Sequence, residues 1–177
     1  MNGDLIITLE PHELTLACLV GVLRQAYAGA AGLEHDPPVA DKDGGFVRHI
    51  IGAAAELAVA KFLNRYWRAG VGAPGGMDVG DDIDVKYSDC DKGGILVPKR
   101  QARPDTRYVR VRGEIPTFEI LGWIWGEKLM KPEWLRNFGR GDVYLAPDWA
   151  LSKTFRRGGA AYDFGCETQS GRDTAGA

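Results

Sequence analysis

Charged and apolar residues alternate in residues 82–86, which read DIDVK. In a β-strand, Asp84 and Lys86 would share one face, and the apolar residues between them would point to the other. Asp78 precedes this stretch across a glycine turn and can fold back beside Asp84. Converging carboxylates repel one another, and a divalent cation such as Mg²⁺ relieves the repulsion by taking oxygen ligands. With a lysine nearby to orient an attacking water, the pattern favours metal-dependent hydrolysis of a phosphodiester.

A third carboxylate, Glu56, lies in a long and almost wholly apolar segment and is flanked by alanines. We predict a helix over residues 46–67 (FVRHIIGAAAELAVAKFLNRYW) that is buried on most sides. A buried acid needs an ion partner or a metal. Glu56 is therefore expected to join Asp78 and Asp84 from a helix packed beside the strand.

The remaining patterns place helices before strands. Residues 9–28 predict a first helix, with Pro11 in its first turn. Loops are predicted over residues 29–45 and 68–77. The predicted strands are IDVKYS, GILVPKR, RYVRVRG and TFEILGWIWG, followed by a short helix in KPEWLRNFG and a strand in DVYLAPDWAL.

This order of elements indicates an α+β (mixed α/β) fold, with a central mixed β-sheet flanked by helices. A chain of 177 residues has the length of one domain, and residues 1–155 are expected to form it. The Gly-rich and polar residues 156–177 are expected to be a flexible tail.

The glutamate on a helix, the aspartate at a turn and the strand carrying Asp84 and Lys86 together resemble the PD-(D/E)xK nuclease superfamily. The resemblance covers about residues 46–125 and implies a restriction-endonuclease-like core. Lys86 would position the water. The implied ligands of Mg²⁺ or Mn²⁺ are Asp78, Asp84, Glu56 and the backbone carbonyl of Val85. More narrowly, GAAAELAVAKFL, DVGDDIDVKYS and TFEILGWIWG look like parts of small nuclease-like proteins encoded by phages and prophages.

The chain departs from the superfamily pattern at three points. Asp84 stands where glutamate is commoner, Met77 stands where proline is frequent, and the short interval from Asp78 to Asp84 requires a tight hairpin. Asp82 would share the face of Asp84 and Lys86, so it is an alternative to Asp78 as the first metal ligand. Taken alone, a DxK pattern is also explained by a solvated strand face.

A basic block follows this acidic one along the chain. In RYVRVRG the valines alternate with polar residues, so one strand face is predicted to be polar and basic. These side chains and the basic residues of the preceding loop are expected to contact nucleic-acid phosphates. They are Tyr108, Arg110 and Arg112 on the strand, and Lys99, Arg100 and Arg103 before it. The alternative is an exposed sheet face paired with nearby acids.

Other residue types point to no further chemistry. Trp123 and Trp125 share a face of an apolar strand, where core packing is favoured over base stacking. The three histidines are far apart, and there is no Cys/His cluster of the kind that binds zinc. The sequence contains no Walker-type loop, GxSxG or GxGxxG motif.

The formal net charge of −2 does not by itself identify a nucleic-acid binder. No apolar run is long enough for a membrane span, no signal peptide is recognisable, and three scattered cysteines are typical of a reducing compartment. We therefore expect a cytoplasmic protein, in a bacterial host if phage-encoded, that acts on DNA and not at a membrane. A homodimer is compatible with this expectation. The alternatives to a DNA nuclease are a non-catalytic nucleic-acid-binding module and a phage structural or assembly protein on an inherited nuclease-like fold.

Overall fold

The computed structural model describes residues 5–32, 45–72, 75–90, 93–139, 141–157 and 160–162. Its elements confirm the α+β class, since two long helices precede most of the strands. The helices are α1 (Pro11–Ala30), α2 (Phe46–Leu63) and α3 (Gly126–Leu129). The strands are β1 (Ile6–Thr8), β2 (Ile83–Tyr87), β3 (Gly94–Pro98), β4 (Arg107–Glu114), β5 (Thr117–Trp125), β6 (Leu135–Asn137), β7 (Asp142–Pro147), β8 (Phe155–Arg157) and β9 (Ala160–Tyr162).

The helix α2 begins at the predicted residue but ends earlier, and α1 spans Pro11–Ala30, two residues later at each end than the predicted 9–28. In α1, Pro11 occupies the first turn, and the Glu13 carboxylate accepts a hydrogen bond of 2.7 Å from the backbone N–H at the N-cap. The helix α2 ends at Leu63 and not at the predicted Trp67, because Asn64 takes a left-handed conformation with φ of 51°. Asparagine adopts this conformation more readily than most other residues with a side chain, so it terminates the helix.

Small residues let the two long helices approach closely. A Cβ atom at Gly21 of α1 would lie 2.6 Å from the Cα atom of Ile50 on α2, so a larger residue does not fit without movement. On α2, four alanines have no solvent-accessible surface: Ala53, Ala54, Ala55 and Ala58. The close approach brings the side chains of α1 within reach of Glu56.

Four strands form the sheet that carries the predicted site, in the order β1-β5-β4-β2. The strand β2 is parallel to β4, whereas β4 and β1 are antiparallel to β5, so the sheet is mixed as predicted. Ile83 is fully buried, and Val85 packs beside it, in a core that also contains Val59 and other residues of α2. Their predicted position on the apolar face of β2 is therefore confirmed.

A second sheet, in the order β3-β7-β6, covers the other face of β4 and β5. Between the two sheets lies a second hydrophobic core, which includes Tyr108 of β4 and Ile124 of β5.

The prediction of a short helix in KPEWLRNFG is wrong beyond the first turn. Only Pro132–Trp134 form a 3-10 turn, after which the chain enters β6. Pairing with β7 satisfies the backbone there in place of helical hydrogen bonds.

Among the described residues, neither long helix combines the length and the apolar character needed to cross a bilayer. The strands β8 and β9 form a hairpin in what the sequence predicted to be the start of a flexible tail. The rest of that tail, residues 163–177, and most of the predicted loop over residues 29–45 lie outside the described residues.

Candidate functional site

Asp84 and Lys86 project from the same face of β2, as the alternation predicts. The Lys86 Nζ atom lies 2.7 Å from Asp84 Oδ1, and the two side chains are 26% and 21% exposed respectively. The Lys86 ammonium also lies 5.9 Å from the centroid of the Tyr108 ring, which is within cation–π range. The pair is thus partly buried at the margin of the second core while solvent still reaches both groups.

A tight hairpin folds Asp78 back onto β2. The backbone N–H of Asp78 donates to the carbonyl of Ile83 at 2.8 Å, and the turn passes through Gly80 with φ of 58°, which glycine adopts readily. The Asp78 Oδ2 atom accepts a hydrogen bond of 2.7 Å from the backbone N–H of Val85. The carboxylate of Asp78 is therefore held against the residue between Asp84 and Lys86.

The same hydrogen bond defines where the carbonyl of Val85 points. In a β-strand, the N–H and C=O groups of one residue face the same neighbouring strand. The N–H of Val85 meets Asp78 at the free edge of β2, so its carbonyl also faces that edge and not β4. The backbone oxygen that the superfamily resemblance names as a ligand thus lies on the side of Asp78.

Glu56 is only 7% exposed and is held by an arginine of α1. The Arg24 Nη1 and Nη2 atoms lie 2.6 and 2.8 Å from the two carboxylate oxygens, and the Trp67 indole N–H donates to Glu56 at 3.1 Å. Such a forked, charge-assisted arrangement is the strong form of an arginine–carboxylate pair. The buried acid that the sequence identified therefore has an ion partner within the chain.

The acids of the cluster influence one another electrostatically. Burial, followed by the negative charges of Glu56 and Asp84, raises the pKa of Asp78 to about 8, although the hydrogen bond from Val85 and the charge of Lys86 oppose the shift. Like charges close together disfavour joint ionisation. Asp78, Asp84, Glu56 and Lys86, the four residues predicted from the sequence, thus lie close enough for their charges to influence one another.

The carboxylate of Asp82, the alternative first ligand, forms ion pairs elsewhere. It lies 2.6 Å from Arg65 and 3.3 Å from Arg107. The Arg107 guanidinium in turn lies 4.9 Å from the ring centroids of both Trp123 and Trp125, the distance of a cation–π contact. Asp82 is thus engaged by two arginines, whereas Asp78 is hydrogen-bonded to β2 itself, so the geometry favours Asp78 over Asp82 as the partner of Asp84.

The donor chemistry of the cluster suits a hard divalent cation, since Mg²⁺ and Mn²⁺ prefer carboxylate and carbonyl oxygens. Within the described residues, however, no three His, Cys, Asp or Glu side chains are already arranged as a metal-binding group. Two of the acids instead face cations, since Glu56 pairs with Arg24 and Asp84 pairs with Lys86. Lys86 contacts Oδ1 of Asp84, so a metal could bind this carboxylate through Oδ2 without breaking the ion pair.

Two of the predicted nucleic-acid contacts are wrong. Tyr108 and Arg110 have no exposed surface, because the second sheet covers the face of β4 that the alternation assigned to solvent. The Tyr108 hydroxyl accepts a hydrogen bond from the backbone N–H of Arg103 at 2.9 Å. Arg110 donates to the carbonyls of Ser88 and Cys90, each at 2.9 Å, so it anchors the chain that follows β2.

The other predicted contacts remain at the surface. Arg112 is about one-third exposed and pairs with Glu119 at 2.6 Å. Lys99, Arg100 and Arg103 are exposed, and Lys99 lies 3.2 Å from Asp142. A groove of about 710 Å³ is lined by Leu96, Pro98, Lys99, Arg100, Phe138, Gly141, Asp142 and Val143. We call this the β3–β7 groove.

Arg24 and Trp67 were not predicted from the sequence as partners of Glu56. A signal for Arg24 was present, because Arg24 and Glu13 are the two residues of α1 that carry a formal charge at neutral pH. An isolated cation in one apolar helix and an isolated acid in the next are expected to pair. Trp67 carried no such signal, since its contact depends on where the chain turns after Asn64.

The chain matches no family model, and comparisons with curated proteins and with solved structures find no similar protein.

Proposed function

We propose that this protein is a divalent-metal-dependent nuclease that hydrolyses phosphodiester bonds of DNA with a PD-(D/E)xK-type centre. The observation that carries the proposal is the hydrogen bond of 2.7 Å from the Val85 N–H to Asp78, which holds that carboxylate at the edge of β2, against the backbone of the residue that separates Asp84 from Lys86. Glu56 on α2 lies close enough for its negative charge to contribute to raising the pKa of Asp78. An acid before the strand, an acid and a lysine on the strand and a glutamate on the helix are the parts that the resemblance requires.

In this proposal Asp78, Asp84, Glu56 and the carbonyl of Val85 hold the metal. A bound Mg²⁺ or Mn²⁺ would polarise the phosphate and stabilise the developing negative charge. The residues of the chain orient the reactants. Lys86, tethered on the same strand face as Asp84, donates a hydrogen bond to the attacking water and keeps it beside the phosphate.

The two ion pairs provide a charge balance before metal binds. Arg24 neutralises Glu56, and Lys86 neutralises Asp84. A bound cation would take over this neutralisation, so Lys86 would be available to orient the water. Burial opposes the charge of Arg24, but the hydrogen bond and negative charge of Glu56, followed by the charge of Asp78, raise the pKa of the arginine above its ordinary value. We therefore propose that Arg24 stays at the site as a positioning residue for Glu56.

The DNA backbone is proposed to approach along the exposed basic side chains of Lys99, Arg100 and Arg103. Phosphate contacts of this kind are independent of base sequence. They weaken as the salt concentration rises, because the release of counterions from DNA on binding then contributes less to the affinity. Phe138, with 61% of its surface exposed at the β3–β7 groove, adds an aromatic surface on which an unpaired base can stack. Among DNA forms, the groove therefore favours single-stranded segments or ends.

The deciding experiment is cleavage of supercoiled, linear, single-stranded and branched DNA with Mg²⁺ or Mn²⁺. We expect metal-dependent cutting by the wild type and none by Lys86→Ala or Asp84→Asn, while the exposed-acid control Glu133→Gln cuts normally. Removing one catalytic group of this kind should lower the rate by about 10²–10⁴-fold. A folded wild type that cuts none of these substrates, with either metal, contradicts the proposal.

One observation favours a second candidate, a non-catalytic nucleic-acid-binding module. Glu56 and Asp84 are already neutralised by Arg24 and Lys86, so the cluster needs no metal to be stable. In that case DNA binding would be salt-dependent, would need no divalent cation and would survive Asp84→Asn. A phage structural or assembly role would show neither cleavage nor salt-dependent binding.

A further inference from the structure

The face of α1 that is exposed to solvent is apolar. Four large side chains on it are 41–56% exposed: Leu16, Leu19, Leu23 and Tyr27. The opposite face of the same helix is buried, through Ala17, Val20, Gly21 and Ala28. A helix that is apolar on all sides is ordinarily covered on all sides. The exposed face therefore needs an occupant.

The spacing of the exposed residues is that of a helix–helix seam. Leu16, Leu19, Leu23, Ala26 and Ala30 occupy the a and d positions of successive heptads, and all five are exposed. From Leu16 to Ala30 the seam is about 21 Å long at 1.5 Å per residue. We call these five residues the α1 seam. No lysine, arginine, aspartate or glutamate lies within it.

We propose that the α1 seam is the interface of a homodimer, in which α1 packs against α1 of a second copy. A seam of identical spacing complements itself, so a two-fold axis satisfies both copies at once. In an antiparallel pairing centred between Leu19 and Leu23, these leucines meet in the middle and Leu16 faces Ala26 of the other copy, large against small. Because the seam carries no charged side chain, charge complementarity does not indicate a different protein as the partner.

The available area is sufficient for such a pairing. The five residues of the α1 seam and the flanking exposed side chains of Val22 and Tyr27 together present on the order of 500 Å² per copy and about 1,000 Å² for the pair, the lower limit of a specific interface. The interface leaves the acid cluster free, because Glu56 contacts α1 through Arg24 on its buried side. The inference is independent of whether the cluster cleaves DNA.

Sedimentation equilibrium of the full chain tests the proposal. We expect the wild type to be a dimer at micromolar concentration and the double variant Leu19→Glu/Leu23→Glu to be a monomer, with the dissociation constant raised at least about 100-fold. Tyr66→Glu is the matched control, since Tyr66 is 74% exposed and lies outside the α1 seam. It should remain dimeric.

Circular dichroism verifies that each variant keeps its helices. If the doubly charged variant unfolds, Leu19→Ala/Leu23→Ala replaces it, because alanine keeps the helix and removes the knobs of the seam. A wild type that is monomeric up to about 100 µM overturns the proposal. A folded seam variant that dimerises as tightly as the wild type also overturns it, because the dimer would then use another surface.

Discussion

Two nitrogen atoms of Arg24 on α1 lie 2.6 and 2.8 Å from the two carboxylate oxygens of Glu56 on α2. The guanidinium also donates from Nε to the carbonyl of Gly70 at 2.7 Å. One side chain thus joins both long helices to the loop that leads to Asp78. The contact connects the packing of the helices with the electrostatics of the proposed site.

Arg24→Ala should destabilise the protein by about 3 kcal/mol, because it leaves the Glu56 carboxylate buried without its cation. Urea unfolding measures the change. Lys131→Ala is the control, since its pairing with Glu133 is exposed and 4.0 Å long, and it should change stability by less than about 0.5 kcal/mol. Adding Glu56→Gln to Arg24→Ala should restore part of the loss. Equal effects of Arg24→Ala and the control would contradict this account.

The stability of the protein should fall as the pH rises from about 4 to about 8. The pKa of Asp78 is raised to about 8 in the folded protein, from about 3.9 in an unfolded chain. Folding therefore favours the protonated acid, so the stability it contributes is complete below pH 4 and is lost as the pH passes through the folded pKa. Melting temperatures of the wild type and Asp78→Asn between pH 5 and 9 test this. Parallel curves would show that Asp78 does not titrate in this range.

Mn²⁺ should bind the wild type and raise its melting temperature, because the cation can displace the proton of Asp78 and compensate the negative charges of Asp78, Asp84 and Glu56. Isothermal titration calorimetry measures the binding directly and needs no DNA. Asp78→Asn and Asp84→Asn should each weaken it by about 10-fold or more, whereas Glu133→Gln should bind like the wild type. If all four proteins give the same weak heats, the acid cluster is not a metal site.

Gly21→Ala should destabilise the protein by about 1–3 kcal/mol, because the new methyl group would lie 2.6 Å from Ile50 and the helices must move apart. Gly29→Ala on the same helix is the matched control. Its methyl group would have no neighbour within 4 Å, so this change should be neutral or stabilise the helix by up to about 1 kcal/mol. Thermal unfolding of both variants checks the difference, and a stabilised Gly21→Ala would be incompatible with the close helix contact.

Lys99→Ala and Arg100→Ala should each weaken DNA binding and reduce the slope of log affinity against log salt by about one. Phe138→Ala should weaken binding of single-stranded DNA by about 1–3 kcal/mol and leave the salt slope unchanged, since stacking releases no counterions. Fluorescence anisotropy with a labelled oligonucleotide, in Ca²⁺ to prevent cleavage, measures both effects. Lys128→Ala, an exposed lysine outside the β3–β7 groove, is the control. Equal losses in all four variants would assign no role to the groove.

The local pattern of the chain determined the elements and one face of the site. Alternation on β2 was enough to place Ile83 in the core and Asp84 beside Lys86, since side chains of a strand point to opposite faces in turn. The apolar run around Glu56 was enough to predict a buried helix, and the glycine turn was enough to bring Asp78 back to the strand. These relationships join residues that are near in sequence or share one element.

Contacts between distant elements were decided by the tertiary structure alone. The same alternation placed Tyr108 and Arg110 on a polar face, but it carries no information on the second sheet that buries that face. The pairing of Arg24 with Glu56 depends on how closely α1 approaches α2, which Gly21 permits. A periodic pattern records which residues share a face, whereas only the packing of the elements decides whether that face meets water, a sheet or a charge.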